Sequence, residues 1–270
     1  MTSSARHLKP GQPRWSYSLQ KYKPFRDVFA EKDLFSILFL ACGRPEITKR
    51  CLLSSIDCIS KYTGEVEWVF LENGGDEQNY QLFQEVPLER KVVIRQKNFG
   101  ISEGFNQLWS ISRGEFCVIL ENDFENRLPS FNLLEHSLDI FHSNGDIGII
   151  QLRAIFDNQE QWGRGKAEYW PWDCDSEELD KKTVKLWHEE TRLGYKYLLA
   201  NHSNAWNNNP NIARKQLYRE CGPLEEAEMG SDPRHGETTM QERTAKLKFV
   251  TAHIAKELYY HCGRKVTPIT

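Results

Sequence analysis

The sequence predicts an α/β fold in which a mostly parallel central sheet is covered by helices on both faces. A continuous apolar run, LFSILFLAC at residues 34–42, is typical of a parallel strand that is buried on both sides. After it, short apolar segments alternate with segments of helical spacing over about 90 residues, a pattern that indicates parallel strands joined by crossover helices. These two observations define the fold class before any residue is given a role.

Each element of this alternation has its own signal. Apolar side chains at helical spacing predict a helix in ITKRCLLSSIDCISKYT, and EVEWVFLEN predicts a second strand that ends at a Gly-Gly turn. A short helix and a third short strand follow in QNYQLFQEV and KVVIRQ. The glycine-punctuated segment NFGISEGFNQLWSISRG predicts a loop that runs into a helix, and EFCVILEND predicts a fourth strand that ends in acids.

The second half of the chain is less regular. A helix is predicted in SFNLLEHSLDIFHSN, a strand in IGIIQLRAIF, a helical segment from NIARKQLYREC, and a long helix in TTMQERTAKLKFVTAHIAKEL. Residues 1–33 are polar and contain several prolines, so we expect an N-terminal arm. One domain, 34–270, follows, with a regular first half at 34–126 and a more variable second half at 127–270.

The composition excludes several classes of protein. With 35 Lys+Arg against 38 Asp+Glu, the net charge is −3, which does not suit a nucleic-acid-binding surface. The chain has no apolar run of the ~20 residues that a membrane span needs, and its first residues have no signal-peptide pattern. Seven cysteines without a CxxC pair favour neither a disulfide framework nor a zinc ribbon. We therefore expect a soluble, cytoplasmic protein.

Polar residues follow three of the predicted strands. The first strand ends in the sequence ACGR at 41–44, the second ends at Glu72, and the fourth ends at Glu121, Asn122 and Asp123. In open α/β sheets ligands bind at the carboxyl ends of the strands. Alternate strand residues share a face, so Glu121 and Asp123 can reach one Mg²⁺ or Mn²⁺ together. Taken alone, the three residues are better explained as an acidic turn that caps the next segment; their position after a fourth strand is what favours the metal site.

The blocks SILFLACGRPE, VFLENGG and NFGISEGFNQLWSISRGEFCVILENDFE resemble, in order and spacing, the nucleotide-sugar-binding half of GT-A glycosyltransferases, especially family 2. The resemblance implies a GT-A type fold and a metal-dependent, inverting transfer of sugar. The donor would be a nucleoside-diphosphate sugar, preferably a UDP-sugar, and the acceptor a hydroxyl of a glycan or glycoconjugate. The implied cofactor is Mn²⁺ or Mg²⁺. From the charge and the apolar runs we expect no nucleic-acid partner and no transmembrane segment.

The same resemblance implies a role for individual residues. Glu72 matches the acid that holds the nucleoside, and Asp123 matches the usual metal contact at the end of the family's DxD motif. The other implied donor-site residues are Ala41, Gly43, Arg44, Asn98, Gly100, Asn106, Glu121 and Asn122. This chain departs from the family pattern at 72 and 121, where Glu replaces Asp, and at the Asn122 middle position.

A looser resemblance to the same glycosyltransferases covers the second half, 127–270, and implies that this half binds the acceptor while 34–126 binds the nucleotide sugar. In GETTMQERTAKLKF, Glu237 matches the general base and Arg243 the following arginine, while Asp232 is a second candidate for the base. Glu237 is equally well explained as an acid at a helix N-terminus. In YYHCG, His261 matches a histidine near the metal or diphosphate, although such a residue can simply close the last helix. Aromatic side chains that stack on sugar rings are expected from Trp170, Trp172 and Trp206, for which packing against the sheet is the alternative.

Other functions fit the sequence less well. A Rossmann dehydrogenase needs GxGxxG after the first strand, and a nucleotidyltransferase needs a glycine-rich loop there, whereas this turn has one glycine, Gly43. A catalytically inactive protein that retains the fold and binds a nucleotide sugar or glycan is the main alternative, and the departures around Asp123 favour it. The sequence does not identify the sugar, the nucleoside or the acceptor.

Overall fold

The computed structural model describes residues 30–152, 185–201, 210–225, 235–244, 246–247, 249–254 and 258–262. The strands in these ranges are β1 (Glu31–Ala41), β2 (Val66–Glu72), β3 (Lys91–Arg95), β4 (Gly114–Glu121), β5 (Phe124–Asn126), β6 (Ile147–Gln151), β7 (Lys185–Glu190), β8 (Lys196–Asn201), β9 (Asn211–Arg214), β10 (Val250–Ile254) and β11 (Tyr259–His261). The helices are α1 (Pro45–Ile59), α2 (Glu77–Glu85), α3 (Ile101–Ile111), α4 (Leu133–Ser143), α5 (Lys215–Cys221) and α6 (His235–Thr244). No helix of the described ranges is both long enough and apolar enough to cross a bilayer.

The strands form one large mixed sheet and one small ribbon. The order in the large sheet is β3-β2-β1-β4-β9-β6-β10-β8-β7, and β11 pairs with β5 in the ribbon. The pairings of β1 with β2 and β4, of β2 with β3, and of β6 with β10 are parallel. Strands β8 and β9 run against their neighbours, so the other seven strands of the large sheet point the same way. The mostly parallel sheet expected from the sequence is confirmed.

Strand β1 lies at the point where the strand order reverses. Its neighbours are β2, which continues to β3, and β4, which continues to the second half of the chain. Ala41 is level with Glu72 on β2, and Leu40 is level with Glu121 on β4. The carboxyl ends of these three strands therefore lie side by side, and such switch points are where open α/β sheets bind their ligands.

Helices cover both faces of the sheet because successive strand residues point to opposite sides. On β1, Phe39 packs in a core cluster that also contains Leu52 of α1 and Phe141 of α4. Leu40 packs in a second cluster, with Trp109 of α3 and residues of α5 and α6. The unbroken apolar run of β1 is thus explained by burial on both sides.

Two predictions for the second half are wrong in part. The predicted long helix ends at Thr244, and Val250–Ile254 is strand β10, which lies between β6 and β8. β-Branched Val250, Thr251 and Ile254 suit a strand, and pairing on both edges outweighs the helical spacing. Similarly, the predicted helical segment at NIAR is strand β9, and its helix starts at Lys215. Strand β1 also begins inside the predicted N-terminal arm, at Glu31.

Gly114 starts β4 where β1 comes close. A β-carbon at this position would lie 2.6 Å from the Leu34 carbonyl oxygen and 2.8 Å from the Ser36 nitrogen, and neither backbone atom can move away cheaply. We expect Gly114→Ala to lower the free energy of unfolding by about 1–3 kcal/mol, as overpacking does. Urea denaturation measures this loss. Gly145→Ala is the matched control, since nothing lies within 4 Å of its β-carbon; equal losses in both variants would contradict the expectation.

Candidate functional site

The turn between β1 and α1 forms the centre of the site. Gly43 and Arg44 both have left-handed backbone, with φ of 60° and 56°, and Pro45 starts the helix at a position where its fixed φ is favourable. The Gly43 carbonyl oxygen accepts hydrogen bonds from Thr48 Oγ1 (3.1 Å), Asn79 Nδ2 (2.8 Å) and Asn122 Nδ2 (3.0 Å). Donors from three different elements therefore hold this turn in one conformation.

Glu72 lies beneath this turn and is fully buried. Its Oε2 accepts a hydrogen bond from Asn79 Nδ2 (2.8 Å), and its Oε1 lies 3.4 Å from the backbone nitrogens of Gly43 and Asp76. Burial raises the pKa of Glu72 above its ordinary value, and the hydrogen bonds from Asn79 and the backbone offset part of that rise. The carboxylate thus organises the Gly43 turn from within, and its contact with a nucleoside stays a prediction.

Ala41 is also buried, and its carbonyl oxygen accepts a hydrogen bond from the Asn73 nitrogen (2.7 Å). It therefore contributes to the site through the position of its backbone.

The loop before α3 lies along the end of β1. Asn73 Nδ2 donates to the Gly100 carbonyl (2.8 Å), and the Asn98 side chain accepts from the Gly100 nitrogen (2.9 Å). Asn98 Nδ2 is also 3.6 Å from the Cys42 sulfur. The structure thus brings two predicted donor-site residues, Asn98 and Gly100, next to the Gly43 turn.

Asn106 has a different position from the other predicted donor-site residues. It is buried in α3, and its side-chain amide exchanges two hydrogen bonds with the backbone of Leu224, at 2.9 Å and 2.8 Å. Arg243 of α6 binds the same turn, by donating to the carbonyl oxygens of Cys221 and Pro223 and pairing with Glu225. Asn106 therefore connects the two halves of the chain, and Arg243 holds the turn that Asn106 binds.

Asp123 is a largely buried acid just after strand β4, and its two carboxylate oxygens have different surroundings. Its side chain is 11% exposed, and its Oδ2 is 3.1 Å from Arg44 Nη2 and 3.3 Å from His261 Nε2. Its other oxygen, Oδ1, is buried and has no hydrogen-bond partner among the described residues. Burial would raise the pKa of Asp123, but His261 and then Arg44 outweigh burial and hold this pKa below its ordinary value.

His261 reaches Asp123 because β11 pairs with β5. His261 lies opposite Phe124 in this ribbon, and the Cys262 nitrogen donates to the Asp123 carbonyl oxygen (2.8 Å). The ring of His261 also packs against that of Phe124, with centroids 4.9 Å apart. The structure thus places His261 beside Asp123, on a strand and not at the end of a helix, and its contact with a metal or diphosphate stays a prediction.

The side chain of Asn122 connects the end of strand β4 to the Gly43 turn. Its Nδ2 donates to the Gly43 carbonyl (3.0 Å) and to Thr48 Oγ1 (2.8 Å), while its Oδ1 accepts from Arg44 Nη2 (3.2 Å). A carboxylate here has no N–H to offer and would face the Gly43 carbonyl oxygen. Asparagine is therefore the residue that connects the Gly43 turn, Arg44 and the strand that carries Asp123. Glu121, at the end of β4, is partly buried beside it.

The donor set can be tested for a divalent cation. Within the described ranges no group of three or more His, Cys, Asp or Glu side chains is placed to hold a metal. Asp123 and His261 nevertheless offer a carboxylate with an unsatisfied buried oxygen and an imidazole. Mg²⁺ and similar ions often take few protein ligands and complete their shell with substrate phosphates and water. The residues therefore fit an ion that is bound together with a diphosphate.

Some predicted site residues have no described side chain. Asp232, Trp170, Trp172 and Trp206 lie outside the described residues, and of Glu237 only the place in helix α6 is described. The start of α6 packs tightly on α3: a β-carbon on Gly236 would lie 2.3 Å from Ser102 Oγ and 2.4 Å from the Glu225 carbonyl oxygen. This packing fixes the helix turn that contains Glu237 against the N-terminus of α3.

Sequence reasoning missed three residues of the site: Thr48, Asn73 and Asn79. Asn73 follows Glu72 directly, and its position at a strand end was an available signal. Thr48 and Asn79 lie inside helices, where nothing in the apolar pattern marks a polar side chain that turns back to the site.

Asn79 should control the stability of the site in a pH-dependent way. Asn79→Leu removes the side-chain donor to Glu72 and one of the donors to Gly43, so we expect a loss of about 2–4 kcal/mol of unfolding free energy. Because the Asn79 bond lowers the pKa of Glu72, its loss raises that pKa further. A carboxyl with a raised folded-state pKa loses stability as the pH rises from its unfolded pKa through its folded one. Denaturation at pH 5 and pH 8 should therefore show the larger loss at pH 8.

The control for this variant is Gln81→Leu, since Gln81 is exposed on the same helix and donates a hydrogen bond to the exposed Glu77. A loss in Asn79→Leu that is no greater than the loss in Gln81→Leu, or that is the same at both pH values, would contradict the role of Asn79.

The chain has a GT-A type α/β fold. Crystal structures of S. aureus TarS share it. TarS 1-349 is 15% identical with a TM-score of 0.52, and the match covers 84% of this chain and 59% of that one. The UDP complex of TarS 1-349 gives 15% and 0.53 with the same coverage, and its UDP-GlcNAc complex gives 17% and 0.52, over 84% and 57%.

At these identities the likeness shows the fold alone, and the chain spans 59% of the length of the first of these structures. No protein-family model matches the sequence, and no curated protein matches it.

Proposed function

We propose that this chain is a metal-dependent, inverting glycosyltransferase that moves a sugar from a UDP-sugar to an acceptor hydroxyl of a glycan or glycoconjugate. One observation carries the proposal: Asp123, with a free buried oxygen, lies between Arg44 and His261 at the switch point of the sheet. The UDP and UDP-GlcNAc complexes of TarS, which has the same fold, support a nucleotide-sugar donor.

The charges around Asp123 suit a diphosphate. Arg44 is 43% exposed while it pairs with Asp123, so its guanidinium is available to a phosphate oxygen on the open side. His261 contributes a second nitrogen to the same place. Asp123 and His261 would hold Mn²⁺ or Mg²⁺, which when bound neutralises charge on the departing diphosphate. Asn122 keeps Arg44 in position through its side-chain oxygen.

We assign the nucleoside to the surface formed by the Gly43 turn and the loop at Asn98 and Gly100. Side-chain-to-backbone hydrogen bonds hold both segments, from Asn79 and Asn122 at the turn and from Asn73 at the loop. A surface that is ordered before its ligand arrives loses less conformational entropy on binding. Glu72 holds the turn from its buried side.

The reaction is a single displacement. The acceptor oxygen attacks the anomeric carbon as the bond from that carbon to the diphosphate oxygen breaks, and the nucleoside diphosphate leaves on the opposite side. The acceptor proton passes to a carboxylate, for which Glu237 is our first choice and Asp232 the second. The sugar configuration inverts, and the protein forms no covalent bond with it. Trp170, Trp172 and Trp206 are proposed to bind the acceptor.

The proposal is tested by binding and turnover together. Isothermal titration with UDP, with and without Mn²⁺, should show binding that the ion strengthens, and a nucleotide-release assay over a panel of UDP- and GDP-sugars should then identify a donor. Binding without release for any donor and acceptor would favour the alternative of an inactive nucleotide-sugar-binding protein. If no nucleoside diphosphate binds, both functions are wrong.

A further inference from the structure

Two cysteines far apart in the sequence meet beside the site. The sulfur atoms of Cys51, in α1, and Cys262, directly after β11, are 3.5 Å apart, and both residues are buried. With Ile47 they form a small apolar cluster against which Tyr260 packs. The other described cysteines are Cys42, which is exposed, and Cys58, Cys117 and Cys221, which are buried.

Cys262 is fixed to the acidic strand end as well as to α1. Its backbone nitrogen donates to the Asp123 carbonyl oxygen at 2.8 Å, and its sulfur lies 3.2 Å from the same oxygen. Arg50, which precedes Cys51, forms an ion pair with Glu125 of β5 (3.4 Å). The Cys51–Cys262 contact therefore joins α1 to the ribbon on which His261 lies.

We propose that Cys51 and Cys262 are an oxidisable pair, which a peroxide converts to a disulfide that fastens β11 to α1. In the first step the Cys262 thiol gives up its proton as its sulfur attacks a peroxide oxygen; the O–O bond breaks, the leaving hydroxide takes up that proton, and a sulfenic acid and one water form. In the second step the Cys51 sulfur attacks the sulfenic sulfur, loses its proton and releases a second water. Two S–H bonds are replaced by one S–S bond, and the two electrons pass to the peroxide.

The geometry favours this product over reaction of either thiol alone. The two sulfurs are 3.5 Å apart and need to approach to a bond length of about 2.05 Å. Cys262 keeps 5% of its surface exposed while Cys51 keeps none, so a peroxide reaches the Cys262 sulfur first, and the adjacent Cys51 thiol is then the nearest group to the sulfenic acid.

The bond closes a long loop, since the two cysteines are 211 positions apart. Such a cross-link restricts the unfolded chain more than a short one does. The oxidised protein should therefore melt at a higher temperature. The sulfur of Cys262 also loses the proton that it offers to the Asp123 carbonyl, while the backbone hydrogen bond to that oxygen remains.

The experiment treats the full chain with a small excess of hydrogen peroxide or with a phosphine reductant. We expect the oxidised protein to lose about 2 Da, as loss of two hydrogens requires, and peptide mapping to find Cys51 joined to Cys262. Its melting temperature should rise by about 5–15 °C, a range that follows from the loop length and the size of the chain. The reductant should reverse both changes.

Variants separate this pair from the other thiols. Cys51→Ser and Cys262→Ser should each abolish the mass loss and the rise in melting temperature, while Cys42→Ser and Cys58→Ser should retain both. A buried serine can weaken folding. If a variant is unstable for this reason, peptide mapping of the unaltered chain decides between the outcomes. A disulfide that maps elsewhere, no disulfide at all, or a Cys51–Cys262 bond that leaves the melting temperature unchanged would each overturn the proposal. These readouts do not depend on sugar transfer.

Discussion

Asp123→Ala is expected to lower sugar transfer at least about 1000-fold, because it removes the carboxylate on which the proposed metal and the Arg44 and His261 contacts depend. The nucleotide-release assay measures this loss with the best donor. In isothermal titration the same variant should bind UDP equally well with and without Mn²⁺. Arg44, freed from its ion pair, keeps a positive charge beside the Gly43 turn, so some metal-independent affinity for the diphosphate should remain.

Asp57→Ala is the matched control for this loss, since Asp57 is an exposed acid on α1 that pairs with Lys61. It should keep the activity and the metal dependence of the unaltered chain. Transfer by Asp123→Ala within a few-fold of that chain would show that the assignment of Asp123 is wrong. A variant that still binds UDP more tightly with Mn²⁺ would show the same of the metal site.

Glu237→Gln should reduce transfer by about 100- to 10,000-fold while the affinity for UDP stays the same, as is typical when a general base is removed. The amide cannot take the proton of the acceptor hydroxyl but keeps the size of the side chain. Single-turnover measurement of transfer, with the donor bound beforehand, separates this effect from any change in donor binding.

Asp232→Asn distinguishes the two candidates for the base. If Glu237 is the base, Asp232→Asn should keep most of the activity. A loss in Asp232→Asn alone would exchange the two roles, and full activity of both variants would mean that neither carboxylate takes the proton. The close packing of Gly236 against Ser102 of α3 holds the start of helix α6 in place. We therefore expect Glu237→Gln to leave the position of α6 unchanged.

The first half of the fold could be predicted because its signals are local. The apolar run of β1 and the helical spacing of α1 each report burial that those segments keep in the structure. Strand β10 could not be found in this way, because Val250–Ile254 follows a helix with similar polar spacing and becomes a strand only through pairing with β6 and β8. Such pairings depend on residues far away in the sequence.

Part of the candidate site could also be predicted from the sequence. Strand ends mark Gly43, Glu72 and Asp123, and the structure brings these ends together. The sequence could not show that Glu72 lies under the turn or that Asn79 turns back from α2 to bind it. Both follow from the angle at which a helix packs on the sheet, which residue spacing does not encode.

The ribbon of β5 and β11 joins distant parts of the chain, and this affects the order in which the protein folds during its synthesis. Cys262 binds the carbonyl of Asp123 across 139 positions of sequence. On the ribosome, the central strands emerge and can pair long before residues 258–262 are synthesised. In a nascent chain that contains the central strands but not β11, Asp123 can therefore pair with Arg44 before His261 has been made. Translation products that stop before β11 would be folded in part yet lack the imidazole beside Asp123.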